Sequence, residues 1–318
     1  MKHKTLDDVA RESGYSPATV SRIMNNAQRV SDRTKKAVLS AARKLGCLPS
    51  RRTVAILLPS LRTGLYFQNV LSEIGPQLAM EDFRTEIVPE DSLDLLEEQN
   101  ICGAFSIFAN CGLERLWGEK HSFPLVCINT KPWHFEGVYS VLSNDEQGMN
   151  LLTQHLLRLG HRRIGLLYWE KYLEVENFCR QNRVAAFQNA MRKHGLPDNL
   201  LSGMQWSREM DLALRRLLKQ DVTAIITTAE GDEYQALYHL KQFGLKVPDD
   251  LSLAGWLHPE FSRFSDPPIT GIEQNYRFLA QHAVALFNHL LHKEPVSGDI
   301  LLDYNFFERC TTAPPGRK

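Results

Sequence analysis

The architecture of the N-terminal part is decided by residues 5–24, TLDDVARESGYSPATVSRIM. Thr5 is a predicted N-cap, acidic residues follow it in the first turn, and Gly14 is the residue type that ends a helix. Two positions later Ser16 is a second N-cap, and Pro17 stands at the first helical position, where its missing N–H costs nothing. The pattern predicts two short helices joined by a tight turn, which is the geometry of a helix-turn-helix.

A third helix is predicted to start at Ser31-Asp32 and to bury apolar residues as far as Leu45. Residues 1–52 hold twelve Lys or Arg against four acidic residues, a net charge of +8, and the rest of the chain carries −8. A positive N-terminal part on a negative body indicates that residues 1–52 bind a polyanion. A three-helix bundle for protein docking is the alternative, but it explains neither this charge nor the polar outer face of the second helix.

The outer face of the second helix predicts a recognition surface for the major groove of DNA. Small residues at its start allow close approach, and Arg22 has the donors to read a guanine edge. The predicted DNA-binding residues are Thr5, Ser16, Pro17, Ala18, Thr19, Ser21, Arg22, Asn25, Arg29 and Arg51.

The first 48 residues resemble the headpiece of the lactose repressor family. The resemblance is carried by Thr5–Ala10, Ser16–Arg22, Val30-Ser31, Thr34 and Leu45–Pro49. It implies that Pro17 and Ala18 choose the operator sequence, supported by Arg22. Because Pro17 and Ala18 offer no side-chain hydrogen bonds, we expect apolar contacts, such as with thymine methyl groups.

Residues 49–53 form a short linker that departs from the family pattern. The family normally has a hinge helix here, with a Leu that wedges into the minor groove and kinks the duplex. In this sequence Leu48–Thr53 runs directly into a predicted strand at Val54–Leu58, which leaves no room for that helix. We therefore expect little operator bending, with Arg51 and Arg52 making only electrostatic contacts.

The remaining residues predict an α/β body, because β-rich runs alternate with amphipathic helical patterns. The predicted strands are 54–59, 84–89, 101–108, 124–129, 138–143, 163–168, 222–227 and 251–256. The predicted helices are 66–80, 145–159, 177–194, 208–219, 231–243 and 275–291. This alternation favours right-handed βαβ units and parallel sheets, which bind ligands beyond the carboxyl ends of their strands.

The family resemblance continues through the body at Leu159–Ile164, Gly244–Asp249, Leu251–Gly255 and Pro267–Ile272. It implies a periplasmic-binding-protein-like, effector-binding and dimerisation domain over residues 54–318, with two lobes and three crossover strands. Lobe one is expected at about 54–142 and 274–298, and lobe two at about 143–272 and 300–310.

The resemblance also implies an effector cleft between the lobes. Its predicted residues are Tyr66, Phe67, Asn129, Arg183, Trp206, Glu230, Leu257, Gln274 and Tyr276. Two polar contacts of the family are lost, because Ala229 replaces the usual Asn and Leu257 the usual Asp, although Glu230 and His258 lie beside these gaps. The alternative is that the aromatic residues pack in the lobe cores and that Arg183 forms a surface ion pair.

No sequence motif supports catalysis, and we expect a protein that is not an enzyme and has no cofactor. The six cysteines lack zinc spacing, so no metal site is expected, and no apolar run is long enough for a membrane helix. Without a signal peptide the expected location is cytoplasmic.

The predicted function is that of a DNA-binding transcription regulator. Repression is expected, because it is the usual action of the family that the sequence resembles. Its expected partners are double-stranded operator DNA, a small-molecule effector (a carbohydrate or related metabolite) and a second copy of the chain in a homodimer. A ligand-independent regulator with a vestigial cleft is the alternative.

Overall fold

The computed structural model describes residues 5–24, 30–45, 53–58, 64–89, 92, 101–107, 123–131, 138–170 and 178–316. Three helices form the N-terminal unit: α1 Leu6–Ser13, α2 Pro17–Met24 and α3 Asp32–Leu45. The body adds six helices within the described ranges: α4 Leu65–Met80, α5 Asp145–Arg158, α6 Phe178–Lys193, α7 Met210–Leu218, α8 Asp232–Gln242 and α9 Tyr276–Leu291.

The N-terminal unit, or headpiece, is held by a small apolar core and by its helix caps. Val9, Val20 and Val38, one from each helix, are fully buried against each other's helices. The Asp8 carboxylate accepts the backbone N–H of Thr5 at 2.8 Å, and Gly14 ends α1 in the left-handed conformation at φ 74°. A cap of this kind stabilises a helix by about 1 kcal/mol, so these short helices depend on their ends as well as on the core.

In the described part of the chain, twelve strands form two sheets of six. Their bounds are β1 Thr53–Leu58, β2 Arg84–Pro89, β3 Gly103–Ser106, β4 Leu125–Ile128, β5 Tyr139–Ser143, β6 Ile164–Trp169, β7 Leu201–Met204, β8 Ala224–Thr227, β9 Ser252–Trp256, β10 Thr270–Glu273, β11 Ile300–Leu302 and β12 Asn305–Phe307. The first sheet, in lobe one, has the order β11-β5-β4-β3-β1-β2 and is parallel throughout. The second, in lobe two, has the order β12-β10-β9-β8-β6-β7 and is parallel except for β12.

The sheets are buried because their strands are apolar on both faces, as parallel sheets require. In lobe one, α4 and α9 pack together on the sheet around Phe105 and Phe287, whose ring centroids are 4.9 Å apart. In lobe two, α5 and α6 cover one face, around Trp256, and α7 and α8 the other, around Leu253.

The chain passes between the lobes at three points, as predicted. It leaves β5 of lobe one for α5 of lobe two at Asn144, returns from β10 to α9 at 274–275, and crosses again between β11 and β12 at 303–304. The first and third crossings are tied by the Asn144 amide, which donates to the Asp303 carboxylate at 2.8 Å. The lobes are therefore joined by crossing segments that lie next to each other, and the cleft lies beside these segments.

The C-terminal segment completes lobe two. The Thr311 hydroxyl donates to the Leu253 carbonyl at 2.6 Å, and the Ala313 N–H donates to the Ser252 hydroxyl at 3.0 Å. The buried His161 ring lies 2.9 Å from the Ala313 carbonyl and 2.9 Å from the Thr223 hydroxyl, and burial lowers its pKa. His161 thus has the structural role, close to a helix end, that its sequence position indicates.

All eight predicted strands and all six predicted body helices are present, with small shifts at their ends. Four short strands, β7, β10, β11 and β12, were not predicted, since each holds only three or four residues and none lies within a longer apolar run. The lobe boundary also needs a correction. Ile300–Leu302 pairs with β5 and belongs to lobe one, so the third crossing lies after residue 302 and not before residue 300.

Candidate functional sites

The outward face of α2 is exposed as a recognition helix requires. Pro17, Ala18 and Arg22 are exposed, whereas Val20 and Ile23, on the opposite side, are buried. This division follows from the helical period, because residues four apart lie on one face. The surface offers two small apolar side chains followed, one turn later, by a guanidinium group.

The other predicted headpiece contacts surround this face. Ser16 caps α2 by accepting the backbone N–H of Thr19 at 3.2 Å, and the two hydroxyls are 2.9 Å apart. Ser16 is exposed, and Thr19 and Ser21 are half-buried. Thr5 is exposed at the start of α1. Three further predicted residues, Asn25, Arg29 and Arg51, and the linker at 49–52 lie outside the described residues.

Part of the positive charge of the headpiece is neutralised internally. Arg11 pairs with Asp8 at 2.8 Å, and Lys44 pairs with Glu12 at 2.6 Å, which raises the pKa of Lys44 through the hydrogen bond. By contrast, the exposed Arg22 has no salt bridge to any carboxylate among the described residues. Arg22 therefore places a positive charge, without a carboxylate partner among the described residues, on the outward face of α2.

In the body, four predicted effector residues meet where the chain crosses between the lobes. Gln274 lies at the second crossing, and its side-chain oxygen accepts the Asn129 amide at 2.6 Å and the Ser143 hydroxyl at 3.0 Å. Asn129 directly follows β4, has φ 54°, and accepts the Ser143 backbone N–H at 2.7 Å. Tyr276 opens α9 and accepts from the Gln274 amide at 3.0 Å.

Glu230 joins this group from lobe two. Its carboxylate accepts the Gln274 amide at 3.1 Å, the Asn69 amide at 3.2 Å and the Tyr276 hydroxyl. Burial raises the pKa of Glu230 to about 7, against the opposing effect of these hydrogen bonds and of the Arg183 charge. The three donors are neutral, so they satisfy the oxygens without neutralising the carboxylate.

Arg183 is buried in lobe two and is already matched by the protein. Its guanidinium donates to Asp145 at 2.9 Å, to the Thr228 carbonyl at 2.6 Å and to the Tyr304 hydroxyl at 3.1 Å. It also lies 4.5 Å above the Trp256 ring centroid. The expected alternative of a surface ion pair is wrong in its location, because the pair with Asp145 is buried.

Among the remaining predicted effector residues, Tyr66 lies next to this group, with its ring centroid 6.1 Å from that of Tyr276. Tyr66 and Phe67 pack, partly buried, against the lobe-one core, and their ring centroids are 5.2 Å apart. Trp206 follows β7 at the sheet edge and is 47% exposed. Leu257 is completely buried against the backbone of Gly271.

Besides Ser143, which bonds to Asn129 and Gln274, three further residues that contact the predicted site were missed. Asn69 on α4, Asp145 on α5 and Tyr304 after the third crossing supply hydrogen bonds to Glu230 or Arg183. The helical period gives a weak signal for Asn69, because it lies one turn after Tyr66. Nothing in the local sequence indicates the other two.

A cavity of about 550 Å³ borders this network between the lobes. Asn69, Gln274 and Tyr276 are in its lining, together with His258 and Arg277. His258 is buried and its Nδ1 accepts the backbone N–H of Glu260 at 3.2 Å, so it is a loop-stabilising residue in this structure. Among the described residues, no three His, Cys, Asp or Glu side chains are placed to hold a metal ion.

Comparison with known proteins agrees with the division into headpiece and body. Residues 5–50 match the model of bacterial regulatory proteins of the lacI family, and residues 153–312 match the periplasmic binding protein-like domain. The HTH-type transcriptional repressor PurR of Vibrio parahaemolyticus is 25% identical over 304 residues, covering 88% of this chain and 89% of that protein. Within the described ranges no helix is long and apolar enough to cross a membrane.

Two solved structures share the fold over nearly the whole chain. The transcriptional regulator CelR in complex with cellobiose has a TM-score of 0.72 and 22% identity, covering 97% of this chain and 99% of that one. The Lac repressor dimer bound to operator and the anti-inducer ONPF also has a TM-score of 0.72, with 23% identity, covering 98% and 100%.

A helix-turn-helix headpiece and a two-lobed, periplasmic-binding-protein-like body together define a class of transcription regulators. The matched relative is a transcriptional repressor, which agrees with the absence of catalytic motifs from the sequence. The chain belongs to the LacI family.

Proposed function

We propose that the protein is a sequence-specific transcription repressor whose operator affinity is controlled by a small metabolite, a carbohydrate or related compound, bound between the lobes. The observation that carries this proposal is the exposed face of α2, with Pro17, Ala18 and the guanidinium of Arg22, which has no carboxylate partner among the described residues. Such a face fits the major groove, where Arg reads guanine and small apolar side chains meet thymine methyl groups.

The protein is expected to act as a homodimer. One headpiece of three short helices covers only a half-site, and two related headpieces read a pseudo-palindromic operator. The Lac repressor, with the same fold, was solved as a dimer on its operator. Sedimentation of the protein as a monomer bound to operator DNA would contradict this expectation.

Selection from a pool of randomised duplexes tests the DNA-binding proposal. The wild-type protein should enrich one pseudo-palindromic sequence at physiological salt. Arg22→Ala should relax the choice at one base pair of each half-site, with a loss of about 1–3 kcal/mol on the preferred sequence. Equal, weak affinity of the wild type for every duplex would refute the proposal.

Lys35→Ala is the matched control for Arg22→Ala. Lys35 is an exposed cation on α3, a different helix from the one that carries Arg22. Loss of the Lys35 charge should weaken binding to all sequences alike. It should also reduce the slope of log binding constant against log salt concentration by about the amount of one phosphate contact. Loss of sequence choice in Lys35→Ala would mean that general charge, and not the α2 face, determines recognition.

Support for the sugar or related effector comes from CelR, whose solved complex contains cellobiose. A regulator that needs no ligand is the second candidate. It is favoured by the occupied hydrogen bonds of Arg183, by the burial of Leu257, and by Ala229 in place of a polar residue.

Thermal unfolding with a panel of sugars, nucleosides and phosphorylated metabolites separates the two candidates. A ligand at a hundredfold excess over its Kd should stabilise the protein by about 2.7 kcal/mol. No stabilisation by any metabolite pool, in a folded and DNA-binding sample, would favour the second candidate.

A further inference from the structure

A single carboxylate links the two lobes beside the chain crossings. Glu230 lies between β8 and α8, in lobe two, and accepts hydrogen bonds from three side chains on the other side of the cleft. Asn69 belongs to α4 of lobe one, Tyr276 opens α9, which packs on lobe one, and Gln274 lies in the crossing itself. No other acidic side chain among the described residues makes hydrogen bonds to so many groups across the lobes.

The donors on the far side of the cleft are held in place by lobe one. Tyr276 is 6% exposed and belongs to the lobe-one core. The Gln274 oxygen accepts from Asn129 at 2.6 Å and from Ser143 at 3.0 Å, which fixes the orientation of the amide. The amide nitrogen must then point at Glu230, because the oxygen is already used. The contact is therefore preorganised from the lobe-one side.

We propose that Glu230 is an interlobe latch, whose carboxylate holds lobe one through Asn69, Gln274 and Tyr276 and must release or share these donors when the cleft opens. All three partners are neutral, and the one buried guanidinium nearby, Arg183, donates to Asp145 and not to Glu230. The latch thus consists of hydrogen bonds to a desolvated charge, a contact that water can replace when the lobes separate.

The latch also limits the chemistry of the effector, a consequence that rests on the proposed function. Gln274 and Tyr276 are both predicted effector contacts, and both now donate to Glu230. A ligand that displaces the carboxylate has to offer acceptor oxygens to the same donors, because a buried donor left unpaired costs free energy. Hydroxyl and carboxylate oxygens meet that requirement.

Small-angle X-ray scattering of the full chain without ligand or DNA tests the latch. Glu230→Gln should increase the radius of gyration, because the loss of one net hydrogen bond shifts the closed–open equilibrium about fivefold. Tyr276→Phe, which removes only the hydroxyl donor, should expand the protein in the same way and decides the question if Glu230→Gln does not fold.

Glu233→Gln is the matched control, because Glu233 is a buried carboxyl group on α8, three residues after Glu230, and it accepts the Gly231 N–H at 2.9 Å within lobe two. Its scattering should equal that of the wild type. The latch is refuted if both Glu230→Gln and Tyr276→Phe keep the wild-type radius, or if Glu233→Gln expands the protein equally. Neither outcome bears on DNA recognition, which the selection experiment tests separately.

Discussion

Replacing Glu230 by Gln should remove a large part of the pH dependence of stability. Glu230 has a pKa of about 7 in the folded protein, raised from 4.5 mainly by burial. The folded state therefore holds this proton between pH 4.5 and 7, where the unfolded chain releases it. Stability must fall as pH rises through this window and must level off above it.

The pKa difference gives the magnitude. The change from 4.5 to about 7 corresponds to about 3 kcal/mol in total. Between pH 5 and pH 8 the linkage relation assigns most of that loss to Glu230. The total is an upper value, because Glu230 keeps some exposure to water, which screens its charge.

Urea unfolding of wild type and Glu230→Gln at pH 5 and pH 8 measures the difference. The free energy of unfolding of the wild type should fall relative to that of the variant by about 2 kcal/mol over this range. Glu233 faces the same region, and burial raises its pKa as well, but it is present in both proteins and its effect largely cancels. Tyr276 stays protonated, because burial and Glu230 raise its pKa well above its ordinary value. Parallel pH profiles for the two proteins would refute the assignment of the neutral-range titration to Glu230.

Three further predictions concern other parts of the chain. Asp145→Ala should lower the free energy of unfolding by about 3–5 kcal/mol, since it leaves the Arg183 charge buried without its partner; a loss under 1 kcal/mol in urea unfolding would contradict the buried pair. Gly255→Ala should destabilise lobe two, because the new Cβ would lie 2.0 Å from the Thr227 hydroxyl; an unchanged thermal midpoint would show that β8 and β9 can move apart at little cost in free energy. The short linker should leave the operator nearly straight in a circular-permutation gel assay, and a strong central kink would disprove that expectation.

The headpiece and most of the body could be predicted because their signals are local. The Thr5 cap, the Gly14 stop and the Ser16-Pro17 start mark helix ends within a few residues, and all three are confirmed. The long apolar strands were likewise found from their own composition. The strands β10 to β12 were not, because three or four residues carry too short a pattern and form a strand only when a neighbouring strand is present.

The cleft was harder to predict, because its contacts join residues that are distant in the chain. Glu230 was selected only for its position beside Ala229, and its hydrogen bonds to residues 69 and 276 depend on how two lobes approach each other. Arg183 was selected as an effector contact by resemblance, and its hydrogen-bond partner Asp145 is 38 residues away. No local pattern contains that information.

The position of the chain crossings has a consequence for biosynthesis. The headpiece is complete once residue 45 has been made, whereas lobe one needs β11 at 300–302, and lobe two needs β12 and the bonds of Thr311 and Ala313 to β9. Domains generally fold as units while the ribosome is still working. The nascent chain therefore contains all three headpiece helices long before either lobe has all of its strands.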